Sequence, residues 1–197
     1  MNIALNELLK TIPDKHEWLA TTSHKFKTDV WNFFTQLDDF KELSAVELGT
    51  SNGHSTKLLS YLFKTVATVN NNDSLKAKEF NSNRSNITFY NFDLYNAPWQ
   101  ITHGDVFFID ADHGYSTVCS DIENCLKLKS SIEKKIFIFD DYGSHQYENT
   151  VKSAIDKYIA DGALEVLGHI GHEPGFSFDG STERTLTHYE GIICQQK

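Results

Sequence analysis

The stretch Val46-Glu47-Leu48-Gly49-Thr50-Ser51-Asn52-Gly53-His54-Ser55-Thr56 decides the fold. The apolar run Ala45–Leu48 reads as a short strand, and Ser55–Phe63 reads as the helix that follows it. Gly49–Gly53 is the turn between them. In a doubly wound sheet such a turn lies at the crevice beyond the strand ends, where ligands bind. Glycines there let the backbone approach a ligand closely. The spacing is GxxxG, which is not the GxGxxG of a dinucleotide fingerprint. It is not a phosphate loop either, because His54 and not Lys follows Gly53. Glu47, just before the turn, would repel a pyrophosphate and suits a cationic ligand. Alone, the glycine pair fits a plain, tightly packed strand-to-helix turn equally well.

Outward from this turn, strands and helices alternate. Thr65–Val69 and Ile87–Phe92 read as strands around a helix at Ser74–Ser82. Val106–Ile109 and Ile136–Phe139 are short apolar runs of the kind found in strands buried on both faces. Between them, Val118, Ile122, Cys125 and Leu126 mark a helix. Val151, Ala154, Ile155, Tyr158 and Ile159 mark another, stopped near Gly162. Leu164–Leu167 and Glu190–Cys194 complete seven strands. The alternation predicts parallel strands joined by crossover helices. The expected fold is an α/β three-layer sandwich, with a Rossmann-like, mostly parallel seven-stranded sheet.

Before residue 44 the pattern is helical. Leu5, Leu8, Leu9 and Ile12 share one face of a helix that Pro13 ends. Val30, Phe33, Phe34 and Leu37 place a second helix over about residues 28–37. Residues 1–43 are thus expected to form a helical cap on a core of 44–197, within a single domain. Residues 171–186 contain glycine and proline without periodicity, which predicts a long loop over a site.

Eighteen Lys and Arg face 27 Asp and Glu, a net charge of −9, so no nucleic-acid partner is expected. No apolar stretch approaches the roughly 20 residues of a membrane helix, and Met1–Ile12 does not read as a signal peptide. Cys119, Cys125 and Cys194 are odd in number and lack a CxxC pair, which disfavours a disulfide framework or zinc ribbon. A reduced, cytoplasmic protein is the expectation. The aromatic residues Trp18, Trp31, Phe33 and Phe34 either serve a homodimer interface or pack on their own sheet.

Asp110 and Asp112 follow the fourth strand, and Asp140 and Asp141 follow the fifth. In a parallel sheet both pairs emerge on the same edge as the glycine turn. Four carboxylates there repel one another unless something compensates. A divalent cation is the simplest compensation, and oxygen ligands suit Mg²⁺, Mn²⁺ or Ca²⁺. Consecutive strand residues face opposite ways, so Asp140 and Asp141 reach one ion only if the strand has ended. Without metal, these acids would cap helices or bond loop amides. His113 and His145 each follow an acidic strand end and are the candidate bases.

Glu47-x-Gly49-x-x-x-Gly53-x-Ser55-Thr56 resembles the first motif of class I S-adenosylmethionine-dependent methyltransferases. Phe108-Ile109-Asp110-Ala111-Asp112-His113-Gly114-Tyr115, then Asp121, then Phe139-Asp140-Asp141-Tyr142-Gly143 resembles a signature of sugar and natural-product O-methyltransferases. It is also similar to the metal-dependent catechol-type enzymes. The resemblance runs from about residue 44 to the C-terminus. It implies S-adenosylmethionine held by Glu47, Gly49, Gly53 and Ser55, with Asp110 beside it. It places Asn70 where relatives carry a ribose-binding acid, with Asp73 as a nearby substitute, and Asp93 near the adenine. It implies metal ligands at Asp110, Asp140 and Asp141, with Mg²⁺ as the expected ion, and catalytic roles for His113, Asp110 and His145. The implied reaction is O-methylation of a small hydroxylated substrate, the cation acidifying the hydroxyl. Two alternatives stand beside it. One is a methyltransferase-like, non-enzymatic binding module. The other is a nucleotide-dependent oxidoreductase, which the GxxxG spacing disfavours.

Overall fold

The computed structural model describes residues 4–15, 17, 21–171 and 189–197. One sheet organises them. Its strands are β1 (Ser44–Leu48), β2 (Thr65–Asn70), β3 (Ile87–Asn91), β4 (Val106–Ile109), β5 (Ile136–Phe139), β6 (Leu164–Ile170) and β7 (Gly191–Gln196). Their order is β3-β2-β1-β4-β5-β7-β6. The first five pair in parallel. β7 runs antiparallel to both β5 and β6. The sheet is therefore mixed, which corrects the inference of parallel strands from strand–helix alternation. Antiparallel neighbours need no crossover helix, so the alternation rule fails at this last step. The order reverses beside β1, which leads to β2 on one side and neighbours β4 on the other. That is the switch point where a crevice opens beyond the strand ends.

β4 and β5 are buried along their whole length. Their side chains alternate between two cores, as the pleat requires. Phe107, Ile109, Phe137 and Phe139 pack with residues of α5 (Tyr115–Lys127) and α6 (Ser153–Ala160). Val106, Phe108, Ile136 and Ile138 pack on the opposite face, with α2 (His24–Thr35) and α3 (His54–Leu62). Two helix layers around one sheet make the expected three-layer sandwich.

The N-terminal helices do not stand apart as a cap; they complete the layer that contains α3. Leu8 of α1 (Leu5–Leu9) and Phe26, Val30 and Phe34 of α2 are fully buried in that core. The Phe26 ring meets Phe108 edge-on, 5.9 Å between centroids. Trp31 and Phe33 are partly buried against the same cluster. Trp18 lies outside the described residues, as does the predicted loop from residue 172 onward. α2 starts at His24, earlier than its periodicity predicts, because the Ser23 hydroxyl accepts from the Phe26 N–H at 3.0 Å. α1 stops at Leu9, short of the expected end, while Ile12 stays buried beyond it. Among the described residues no helix is long and apolar enough to cross a membrane.

Candidate active site

The glycine turn is clamped between the ends of β2 and β4. The Gly49 and Thr50 N–H groups both donate to the Val69 carbonyl, at 3.0 and 3.2 Å. Gly49 has φ +96°, and a Cβ there would lie 1.9 Å from the Asp110 carbonyl oxygen. Gly53 has φ +79° and precedes α3; its Cβ would press on Ala77 of α4 (Leu75–Phe80) at 2.8 Å. Both glycines answer close contact, Gly49 with the neighbouring strand end and Gly53 with helix packing.

Glu47 lies beneath this turn and is fully buried. The hydroxyls of Thr56 and Thr68 both donate to its Oε2 at 2.5 Å, while Oε1 has no partner. Burial pushes its carboxyl up to about 8. Between its ordinary value near 4.5 and about 8, the folded chain holds a proton that the unfolded chain releases. Stability therefore falls as pH rises through that window. Glu47→Gln keeps both threonine bonds and removes this titration. Its melting temperature relative to the wild type is expected to climb from pH 5 to pH 8, by the equivalent of about 3 kcal/mol. Parallel pH profiles for the two proteins would reject this reading of Glu47.

In front of the turn is a cavity of about 450 Å³, lined by Gly49, Ser51, Asn70, Asp93, Tyr95 and Asp110 among others. Glu47, Gly53 and Ser55 do not line it. Asn70 ends β2 at the cavity wall, whereas Asp73 pairs with Lys78 at 3.3 Å and stays outside. Asp93 accepts from the Tyr95 and Asn96 N–H groups and from the Asn96 side-chain amide. These donors hold its carboxyl below the usual range. Tyr95 donates its hydroxyl at 3.3 Å to Asp121, which is fully buried on α5 and pushed by burial up to about 7.

A second cavity, of about 360 Å³, shares Ser51, Asp110 and Ala111 with the first. His113, Asp140, Asp141, Tyr147, Lys15 and Thr21 line it. β5 has ended at Phe139, and Asp141 adopts a left-handed conformation, φ +58°. Its Oδ2 lies 2.9 Å from His113 Nε2, with Asp110 Oδ1 at 3.7 Å. The His113 ring stacks on Tyr147, 4.2 Å between centroids. The two carboxylates hold His113 up to about 10. These neighbours favour the protonated imidazole, which weighs against His113 as a free base while both carboxylates are ionised.

The acids expected to hold a metal are brought together only in part. Ligand atoms of Asp110, His113 and Asp141 lie within 4.8 Å of one another, so one nitrogen joins two carboxylates. Asp140 stands apart from that set. It is buried, its Oδ1 has no partner, and burial with Asp141 and Asp110 nearby drives its pKa well up. His145 is not brought in: it lines neither cavity and lies 4.0 Å from Glu148. Asp112 accepts from the Gly114 N–H at 2.8 Å and the Thr117 hydroxyl at 2.7 Å, which ties it to the loop and first turn of α5.

Lys15, Thr21, Tyr147 and Glu190 escaped the sequence reading as site residues. Glu190 is fully buried. Its Oε1 accepts from the Ser23 N–H at 2.9 Å and from Lys15 Nζ at 3.2 Å, and its Oε2 accepts from the Ser23 hydroxyl. No spacing signal links positions 15 and 190.

No family model matches the sequence, and no curated protein matches it. Solved structures do match. A tRNA methyltransferase from Aquifex aeolicus has a TM-score of 0.65 at 19% identity, covering 99% of this chain and 76% of its own. A putative O-methyltransferase from Klebsiella pneumoniae has a TM-score of 0.63 at 14% identity, covering 98% of this chain and 88% of its own. An N-methyltransferase from Bradyrhizobium japonicum, in complex with S-adenosylhomocysteine, has a TM-score of 0.63 at 14% identity, covering 98% and 96%. The fold is that of the S-adenosylmethionine-dependent methyltransferases. Within this methyltransferase fold the relatives carry O-, N- and tRNA-methyltransferase names. A shared fold does not by itself fix the reaction, so the residues of the site must be read for it.

Proposed function

We propose that the protein is an S-adenosylmethionine-dependent methyltransferase that methylates a hydroxyl of a small acceptor. The observation that carries this is the meeting of two cavities at Ser51, Asp110 and Ala111. The cavity at the glycine turn is the cofactor side, with Gly49 close-packed and Asn70 at the ribose position. The cavity of His113, Asp140 and Asp141 is the acceptor side. A methyl group held at their junction would face the acceptor oxygen in line, which lowers the entropic part of the barrier. The oxygen attacks the methyl carbon, the carbon–sulfur bond breaks, and the sulfur leaves as the neutral thioether. The hydroxyl proton needs a base. Asp140, in its ionised form, is the group suited to take it at the unpartnered Oδ1, since burial makes this carboxylate more basic than usual. His113, held as an imidazolium, balances Asp110 and Asp141.

With His113 deprotonated, Asp110, His113 and Asp141 also fit a divalent cation. A nitrogen among the donors suits Mn²⁺ better than Mg²⁺. When bound, such an ion would lower the pKa of an acceptor hydroxyl.

Calorimetry with S-adenosylhomocysteine tests the cofactor side; no binding at millimolar ligand rejects the proposal. Thioether release over a panel of catechols and sugars then tests the acceptor side. Asp141→Ala and EDTA are each expected to lower turnover at least ten-fold. Turnover untouched by both would remove the cation from the proposal. Retained cofactor binding without transfer to any hydroxyl would favour a binding module.

A further inference from the structure

The acceptor cavity has a positive residue that the reaction as drawn does not use. Lys15 reaches it from the N-terminal segment, ahead of α2, and Thr21 comes with it. Both are buried. Glu190, at the start of β7, holds the Lys15 ammonium at 3.2 Å. The same carboxylate holds Ser23, the N-cap of α2, through its N–H and its hydroxyl. Its backbone carbonyl accepts from the Gly143 N–H at 3.2 Å, two residues beyond Asp141. One buried acid thus ties the N-terminal segment to the turn that carries Asp140 and Asp141. Asp140 lines the cavity with a buried, unpartnered oxygen. Burial disfavours the charged Lys15, but it sits in the fields of Asp140, Glu190 and Asp141, which outweigh that cost and favour its ammonium form.

Taking the second cavity as the acceptor side, we propose that Lys15, held by Glu190, is the fixed cation of the acceptor pocket. It is a positioning residue. Its charge sets how strongly the cluster of Asp110, His113 and Asp141 holds a divalent ion. The N-terminal segment is then part of the acceptor site and not only a packing layer.

Mn²⁺ is the probe, read by electron paramagnetic resonance on the full chain. Binding that is lost in Asp141→Ala places the ion at this cluster. Lys15→Met removes a like charge and is expected to tighten Mn²⁺ binding at least five-fold. Lys15→Arg restores the charge and is expected to stay within two-fold of the wild type. Lys15→Gln replaces Lys15→Met if the latter does not fold, since its amide can still donate to Glu190. Equal Mn²⁺ affinity in the wild type and the neutral variant, whether tight, weak or undetectable, overturns the proposal. S-adenosylhomocysteine affinity, measured on the same samples, is expected to stay within two-fold. Its absence in every sample would reject the methyltransferase reading while leaving the Mn²⁺ comparison to decide the role of Lys15.

Discussion

Gly49→Ala is expected to lower S-adenosylhomocysteine affinity at least 100-fold and to destabilise the fold by about 3 kcal/mol or more. Two separate costs add. The backbone at Gly49 has φ +96°, which an L side chain rarely adopts. The new methyl would also lie 1.9 Å from the Asp110 carbonyl oxygen, and neither backbone can yield alone. Gly49 N–H is bonded to Val69, and Asp110 N–H is bonded to Leu48, so relief must move β1, β2 and β4 together. That shift would displace the wall shared by the two cavities. Gly162→Ala separates the two costs. Gly162 also has positive φ, +74°, but nothing lies within 4 Å of its would-be Cβ. It is expected to lose only about 1 kcal/mol and to leave cofactor binding unchanged. Chemical denaturation and calorimetry on both variants check this. Equal losses for the two glycines would show that strain, and not the contact with Asp110, governs the turn.

Glu190→Ala is expected to cost about 3 kcal/mol, read as a fall in melting temperature of about 10 °C. The removed carboxylate leaves Lys15 Nζ, the Ser23 N–H and the Ser23 hydroxyl without their buried acceptor. Breaking one side of a buried pair costs more than the pair contributes, because the remaining charge stays desolvated. Asp140 and Asp141 still attract Lys15, which keeps the loss at the lower end of the range. Lys10→Ala is the contrast. Lys10 pairs with Glu7 on an exposed helix surface, where such a pair is worth at most about 0.5 kcal/mol. A Glu190→Ala protein that melts with the wild type would show that α2 and the N-terminal segment are held by apolar packing alone.

Most of the fold was legible in the sequence. Four-residue apolar runs at 106–109 and 136–139 marked β4 and β5 to the residue. Their full burial on both faces leaves no polar position to blur the pattern. Helix ends were less legible. At the start of α2 the signal was a capping serine, not periodicity. The site was legible where it followed strand ends. Asp110 and Asp141 converge as expected because parallel strands deliver their C-terminal ends to one edge. Asp140 was the expected third acid and His113 a candidate base; the turn after β5 carries Asp141 to His113 and leaves Asp140 buried.

By itself the sequence determined the α/β class, the glycine turn and the acids beyond β4 and β5. These are local properties: hydrophobic period, turn chemistry and position relative to a strand end. Only the tertiary structure decided the reversed direction of β7, the raised proton affinity of His113, and the joining of Lys15 and Ser23 to Glu190. Each of these depends on groups brought together by chain closure. A strand's direction is set by the neighbours it pairs with, and a pKa by the charges and burial around it. Residues 15 and 190 stand 175 positions apart, and no local pattern of side chains records that they share one buried charge.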